Sequence, residues 1–132
     1  MRILLADDDR DQLTVRSMLL ERSGFETLEA MDRNSAVEIA AAQKPECAVI
    51  DLRFPTEEIG LRLIRDLKEI DSNMHLFVLT GGDPDLFARR PERKLVDQVI
   101  VKGSSFSNLL HRLRTLAAEV SHKRAKASRS GI

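Results

Sequence analysis

Cys47-Ala48-Val49-Ile50-Asp51-Leu52-Arg53-Phe54-Pro55 is the stretch that decides the fold. Its opening apolar run is strand-length and does not alternate with polar residues, as expected of a parallel strand covered on both faces. The run then stops on a carboxylate. Three other segments repeat this form: Ile3–Ala6 runs into Asp7 and Asp8, Leu76–Leu79 into Thr80, and Val99–Val101 into Lys102. A fifth candidate, Phe25–Glu29, is more polar and reads as an edge strand.

Helical periodicity fills the intervals. Val15, Met18 and Leu19 share one face, as do Ala36, Ile39 and Ala40, and again Leu63, Leu67 and Ile70. Phe106, Leu109, Leu110, Leu113, Ala117 and Val120 form the clearest stripe. Gly24 and Pro45 are stop signals after the first and second helices. Asp83-Pro84 starts a fourth helix, but Pro91 follows so soon that the helix is expected to be short or broken. The order βαβαβαβαβα predicts an α/β fold, a five-stranded parallel sheet doubly wound by right-handed crossovers.

The chain has 132 residues, 42% of them apolar, enough for one compact domain and a single core. Its formal charge is zero but unevenly spread. Four of the 21 basic residues (Lys123, Arg124, Lys126 and Arg129) lie in 122–132, which has no acid; 1–121 therefore holds 17 basic and 21 acidic side chains, a net of −4. A mildly acidic body argues against direct nucleic-acid binding, which depends on neutralising phosphates. One cysteine, Cys47, excludes an intramolecular disulfide, suits a reducing cytoplasm and reads as a small core residue. No apolar run approaches the ~20 residues needed to span a bilayer, so a cytoplasmic, membrane-free setting is expected. From about Ser121 the apolar periodicity ends, and 122–132 is expected to be a basic, disordered tail or linker beyond a domain of 1–121.

Ligands of open α/β sheets bind beyond the carboxyl ends of the strands, where the winding direction reverses. Three carboxylates (Asp7, Asp8, Asp51), the Thr80 hydroxyl and the Lys102 ammonium all follow apolar runs at that edge. Carboxylates within ~4 Å repel by roughly 4 kcal/mol per pair at an effective dielectric of 20, so such a cluster calls for a cation or raised pKa values. A hard divalent ion that uses one or two carboxylates plus phosphate oxygens suits the set. An ionised aspartate attacks phosphorus without a general base, and Lys102 would neutralise charge on the transferring group. Asp9 and Asp11 read as capping or solvent-facing residues. The spacing Asp7, Asp9, Asp11 is no calcium loop, because Gln12 stands where that loop needs Gly and Met18 where it needs Glu.

In order and spacing, Asp7-Asp8, Asp51 to Pro55, Thr80 and Lys102 resemble the response-regulator receiver family of two-component signalling, over essentially residues 2–120. The resemblance implies a flavodoxin-like fold with strand order 2-1-3-4-5 and an acyl phosphate on Asp51. The phosphodonor would be a histidine kinase, a phosphotransfer protein or a small phosphodonor. It further implies Mg²⁺ or Mn²⁺ held by Asp8, Asp51 and the backbone carbonyl of Arg53, with Asp7 assisting partly through water. Thr80 and Lys102 would move inward on phosphorylation and reshape a surface for an output protein or output domain, with homodimerisation through that surface an option. Arg53 and Gly82, two residues after Asp51 and Thr80, would flank the path of attacking water.

Three positions depart from the family pattern. Gly103 follows Lys102 where Pro is usual, so that peptide is expected to be trans. Val99 stands where an aromatic commonly reports activation, and Gly60 comes one residue late after Pro55. These features motivate a second reading, a receiver-like interaction module that signals without phosphorylation. A third is a haloacid-dehalogenase-like phosphatase with Asp7 as nucleophile, although Asp11 sits where that family carries Thr or Val.

Overall fold

A computed structural model describes residues 1–103 and 106–130, the last four by backbone alone. The five expected strands form β1 (Arg2–Ala6), β2 (Glu26–Ala30), β3 (Cys47–Asp51), β4 (His75–Thr80) and β5 (Gln98–Val101). All pair in parallel in the order β2-β1-β3-β4-β5, with β2 at one edge as its polarity required. Register fixes the edge of interest: Ala6 pairs with Ile50, Asp51 with Leu79 and Thr80 with Val101. The polar residues at the strand ends therefore emerge together.

Period-two alternation divides the buried side chains between the faces. Leu4, Ala48, Ile50, Leu76 and Val78 pack under α2 (Arg33–Gln43) and α3 (Glu57–Ile70). Ile3, Leu5, Val49, Phe77, Leu79 and Ile100 pack under α1 (Arg10–Arg22) and α5 (Phe106–Ser130). Asp9 caps α1, accepting from the N–H groups of Asp11 and Gln12, and Gly24 closes the following turn with φ of 95°. The fourth helix is short, as Pro91 dictates: α4 (Pro84–Ala88) gives way to a 3₁₀ turn over Pro91–Leu95. Its Phe87 is nevertheless fully buried and anchors the segment to the core.

Two expectations need correction. The buried face of α1 is Leu13, Ser17 and Leu20, whereas Val15 and Met18 are about half exposed. A polar residue fits inside because the Ser17 hydroxyl meets the Thr27 hydroxyl on β2 at 2.5 Å. The basic stretch after Ser121 is also not irregular, since α5 continues to Ser130. Residues 121–126 are all exposed, so propensity rather than packing carries the helix there: Ala, Lys and Arg are good helix formers, and no Pro or Gly intervenes before Gly131. Arg124 also ties the extension to the body through an ion pair with Glu46.

Candidate functional site

β3 places Asp51 as its final residue, 5% exposed; β1 delivers Asp7, 2% exposed, and the exposed Asp8 just beyond its end. Oxygens of these three carboxylates lie within 4.8 Å of one another. β1 and β3 are the neighbouring strands from which the chain winds in opposite directions, so the cluster occupies the switch point.

Lys102, directly after β5, reaches across with Nζ 2.6 Å from Asp51 Oδ2, and the Arg53 N–H donates to Asp51 Oδ1 at 3.2 Å. Thr80 is buried, and its hydroxyl accepts from the Gly82 N–H at 3.2 Å. The Lys102 N–H donates to the Thr80 carbonyl at 2.7 Å, which fixes the two residues side by side. The Lys102–Gly103 bond is trans; the one cis peptide among the described residues is Phe54–Pro55.

Two clefts meet at Asp51. One, about 610 Å³, contains Asp7, Asp8 and Asp51 and runs on past Val15 and Phe106 between α1 and α5. The other, about 300 Å³, holds Thr80, Gly81 and Gly82 beside α4. Asp51, Arg53 and Lys102 line both and form the partition between them. A side-chain carbon added at Gly82 would meet nothing closer than Thr80 Oγ1 at 4.0 Å, so there is open space beside this glycine.

The sequence reading missed Arg16. Its Nη1 lies 2.5 Å from Asp7 Oδ2, while Asp7 Oδ1 accepts the Asp9 N–H at 2.9 Å. The available signal was the Asp9 cap, which sets the phase of α1 and turns position 16 toward the strand end. The apparent apolar stripe through Val15 and Met18 pointed to the wrong face. Val99 is half-buried against the core, with no aromatic ring in that place. Burial also pushes the Cys47 thiol far above its usual pKa, which keeps it an inert core group.

The donor set fits a hard divalent cation, being carboxylate oxygen throughout. A parallel doubly wound sheet with a buried strand-end aspartate, two companion carboxylates and a facing lysine defines a class of α/β signalling domain. The chain belongs to the response regulator receiver domain family, which matches residues 3–114. It is 32% identical over 90 residues to the transcription regulator BvgA of Bordetella pertussis, covering 67% of this chain and 43% of that one. The chain thus spans less than half of that relative. A CheY-like receiver domain from Methanospirillum hungatei superposes with a TM-score of 0.80 at 21% identity, covering 92% of this chain and 97% of that one. A Burkholderia pseudomallei response regulator, solved with a phosphorylated aspartic acid, calcium and citrate, gives 0.77 at 28% identity, covering 94% and 72% respectively.

Proposed function

We propose that Asp51 is the phosphoacceptor of a Mg²⁺-dependent (or Mn²⁺-dependent) switch. The observation that carries this reading is the buried Asp51 carboxylate in reach of Asp7 and Asp8, with Lys102 on its Oδ2. An Asp51 oxygen attacks phosphorus, the bond from phosphorus to the donor's histidine nitrogen breaks, and an acyl phosphate forms. Asp8, Asp51 and the backbone carbonyl of Arg53 would hold the cation, which when bound neutralises charge on the phosphoryl oxygens. Asp7 serves less directly, since both its oxygens are engaged by Asp9 and Arg16. The same engagement speaks against a phosphatase with Asp7 as nucleophile.

Lys102 moves from Asp51 to a phosphoryl oxygen, and the Thr80 hydroxyl donates to another; the Thr80–Lys102 hydrogen bond couples the two movements. The phosphodonor is a histidine kinase or phosphotransfer protein, and the receiver unit, residues 1–121, acts on an output protein or output domain. The helical extension after residue 121 is the natural connection to such an output. Among the described residues no helix is long and apolar enough to cross a membrane. Intact mass after treatment with Mg²⁺ and acetyl phosphate tests the proposal. The expected result is a gain of one phosphoryl group by the wild type and none by Asp51→Asn. Equal gain in both, or none in the wild type, refutes it.

A further inference from the structure

We infer that Arg16 is a resident counter-ion of the acidic pocket, which holds Asp7 before a divalent cation arrives and thereby lowers the pocket's affinity for that cation. This rests on reading Asp7, Asp8 and Asp51 as the cation site.

Asp7 is nearly inaccessible, and a buried carboxylate without a partner is strongly unfavourable. The Asp9 N–H satisfies one oxygen and the Arg16 guanidinium the other. With its side chain 15% exposed, Arg16 makes this ion pair largely out of water, where the attraction is strong. The guanidinium is held in place from its own helix, Nη2 lying 3.4 Å from Gln12 Oε1 one turn earlier. Both residues line the cleft that contains the other two carboxylates.

Two of the three clustered carboxylates are therefore already paired with a cation, Asp51 with Lys102 and Asp7 with Arg16, while Arg53 lines the same cleft. Lys102 has a later task on the phosphoryl group; Arg16 lies on the metal side and has none. An incoming divalent ion meets a fixed positive charge and an Asp7 whose oxygens are both engaged. A doubly charged ion about 6 Å from a guanidinium loses roughly a factor of ten in affinity even at a water-like dielectric, which sets the lower bound for this part-buried pocket. Arg16 thus acts as a positioning residue, stabilising the metal-free pocket while weakening its hold on the ion.

Isothermal titration of the whole chain with Mg²⁺, paired with thermal unfolding in chelator and in saturating Mg²⁺, tests this. R16M and R16Q should bind Mg²⁺ tighter than wild type by about tenfold or more, the like-charge penalty having gone. They should melt below wild type in chelator, and Mg²⁺ should narrow that gap. R16K, which restores the charge, should return to wild-type affinity. R16M or R16Q with unchanged or weaker affinity overturns the inference, as does a melting deficit that Mg²⁺ leaves intact. Should R16M fail to fold, R16Q decides, since it keeps a hydrogen-bond donor for Asp7. Failure of the underlying site looks different: no Mg²⁺ binding by wild type or variants, or undiminished binding by D8N.

Discussion

Gly60→Ala should destabilise this protein, although the same change in an ordinary helix stabilises. Gly60 lies in α3, where a Cβ would sit 2.0 Å from the Leu52 carbonyl oxygen and 2.9 Å from its carbon. Normal carbon–oxygen contacts begin near 3.3 Å, so helix and loop must part by about 1.3 Å. Leu61, Leu63 and Ile64 behind the helix are buried, and backbone on both sides of the clash leaves no flexible side chain to yield. Overpacking typically costs 1–3 kcal/mol, and a backbone clash belongs at about 3. Alanine recovers about 1 kcal/mol of helix propensity, leaving a net loss of about 2. With roughly 2.1 cal/mol/K of unfolding entropy per residue, the melting temperature should fall by about 7 °C. Far-UV circular dichroism is the assay, because the chain has neither Trp nor Tyr. The displaced backbone directly follows Asp51, so G60A should also slow phosphoryl uptake more than an equally destabilising truncation at Leu116 does. A variant as stable as wild type, or more so, would refute the close approach of α3 to Leu52.

Other expectations concern charge. Asp8→Asn should raise metal-free stability by up to about 1 kcal/mol by relieving repulsion, and should abolish the stabilisation Mg²⁺ gives, both readable by thermal unfolding. Partial burial pushes the Glu46 carboxyl up, but the Arg2 N–H and the Arg124 guanidinium outweigh it and hold the group below its usual pKa. A depressed folded-state pKa contributes stability above the unfolded pKa, about 4.3, that is lost as pH falls through the folded value. Acid unfolding of Glu46→Gln should accordingly show a shallower decline below that pH, and an unchanged pH profile would count against the pairing. Arg53→Ala should speed loss of the phosphoryl group by exposing it to water, measured as decay of the phosphorylated mass; an unchanged rate removes that role.

Much of the fold was legible because the strands are apolar runs that each end on a polar residue. Parallel strands buried on both faces leave that mark, and their shared direction puts Asp7, Asp8, Asp51, Thr80 and Lys102 at one edge. Asp83-Pro84 marked the start of the fourth helix, and Pro91, which cannot donate within a helix, foretold that it would be short. The face of α1 was not legible: hydrophobicity favours Val15 and Met18, yet the buried position goes to Ser17, whose partner Thr27 lies on another element. Arg16 was missed for the same reason, since its value depends on an aspartate two helical turns away across a cap. The length of α5 was misread because its last turns owe their order to composition, without an apolar stripe. Lys44, left-handed at the end of α2 where Gly is usual, likewise leaves no sequence signal of its own.

α5 has 25 residues and so extends about 37 Å, well past Leu116, the last buried residue among those of the helix whose side chains are described. Such a rod is a lever: a tilt of about 5° at Phe106, which lines the same cleft as Asp51, becomes about 3 Å of travel at Ser130. Its clasp, Arg124 on Glu46, grips the residue just before β3, whose other end is Asp51. One five-residue strand thus spans both the fulcrum and the latch, which gives an event at the pocket a short mechanical route to the helix tip.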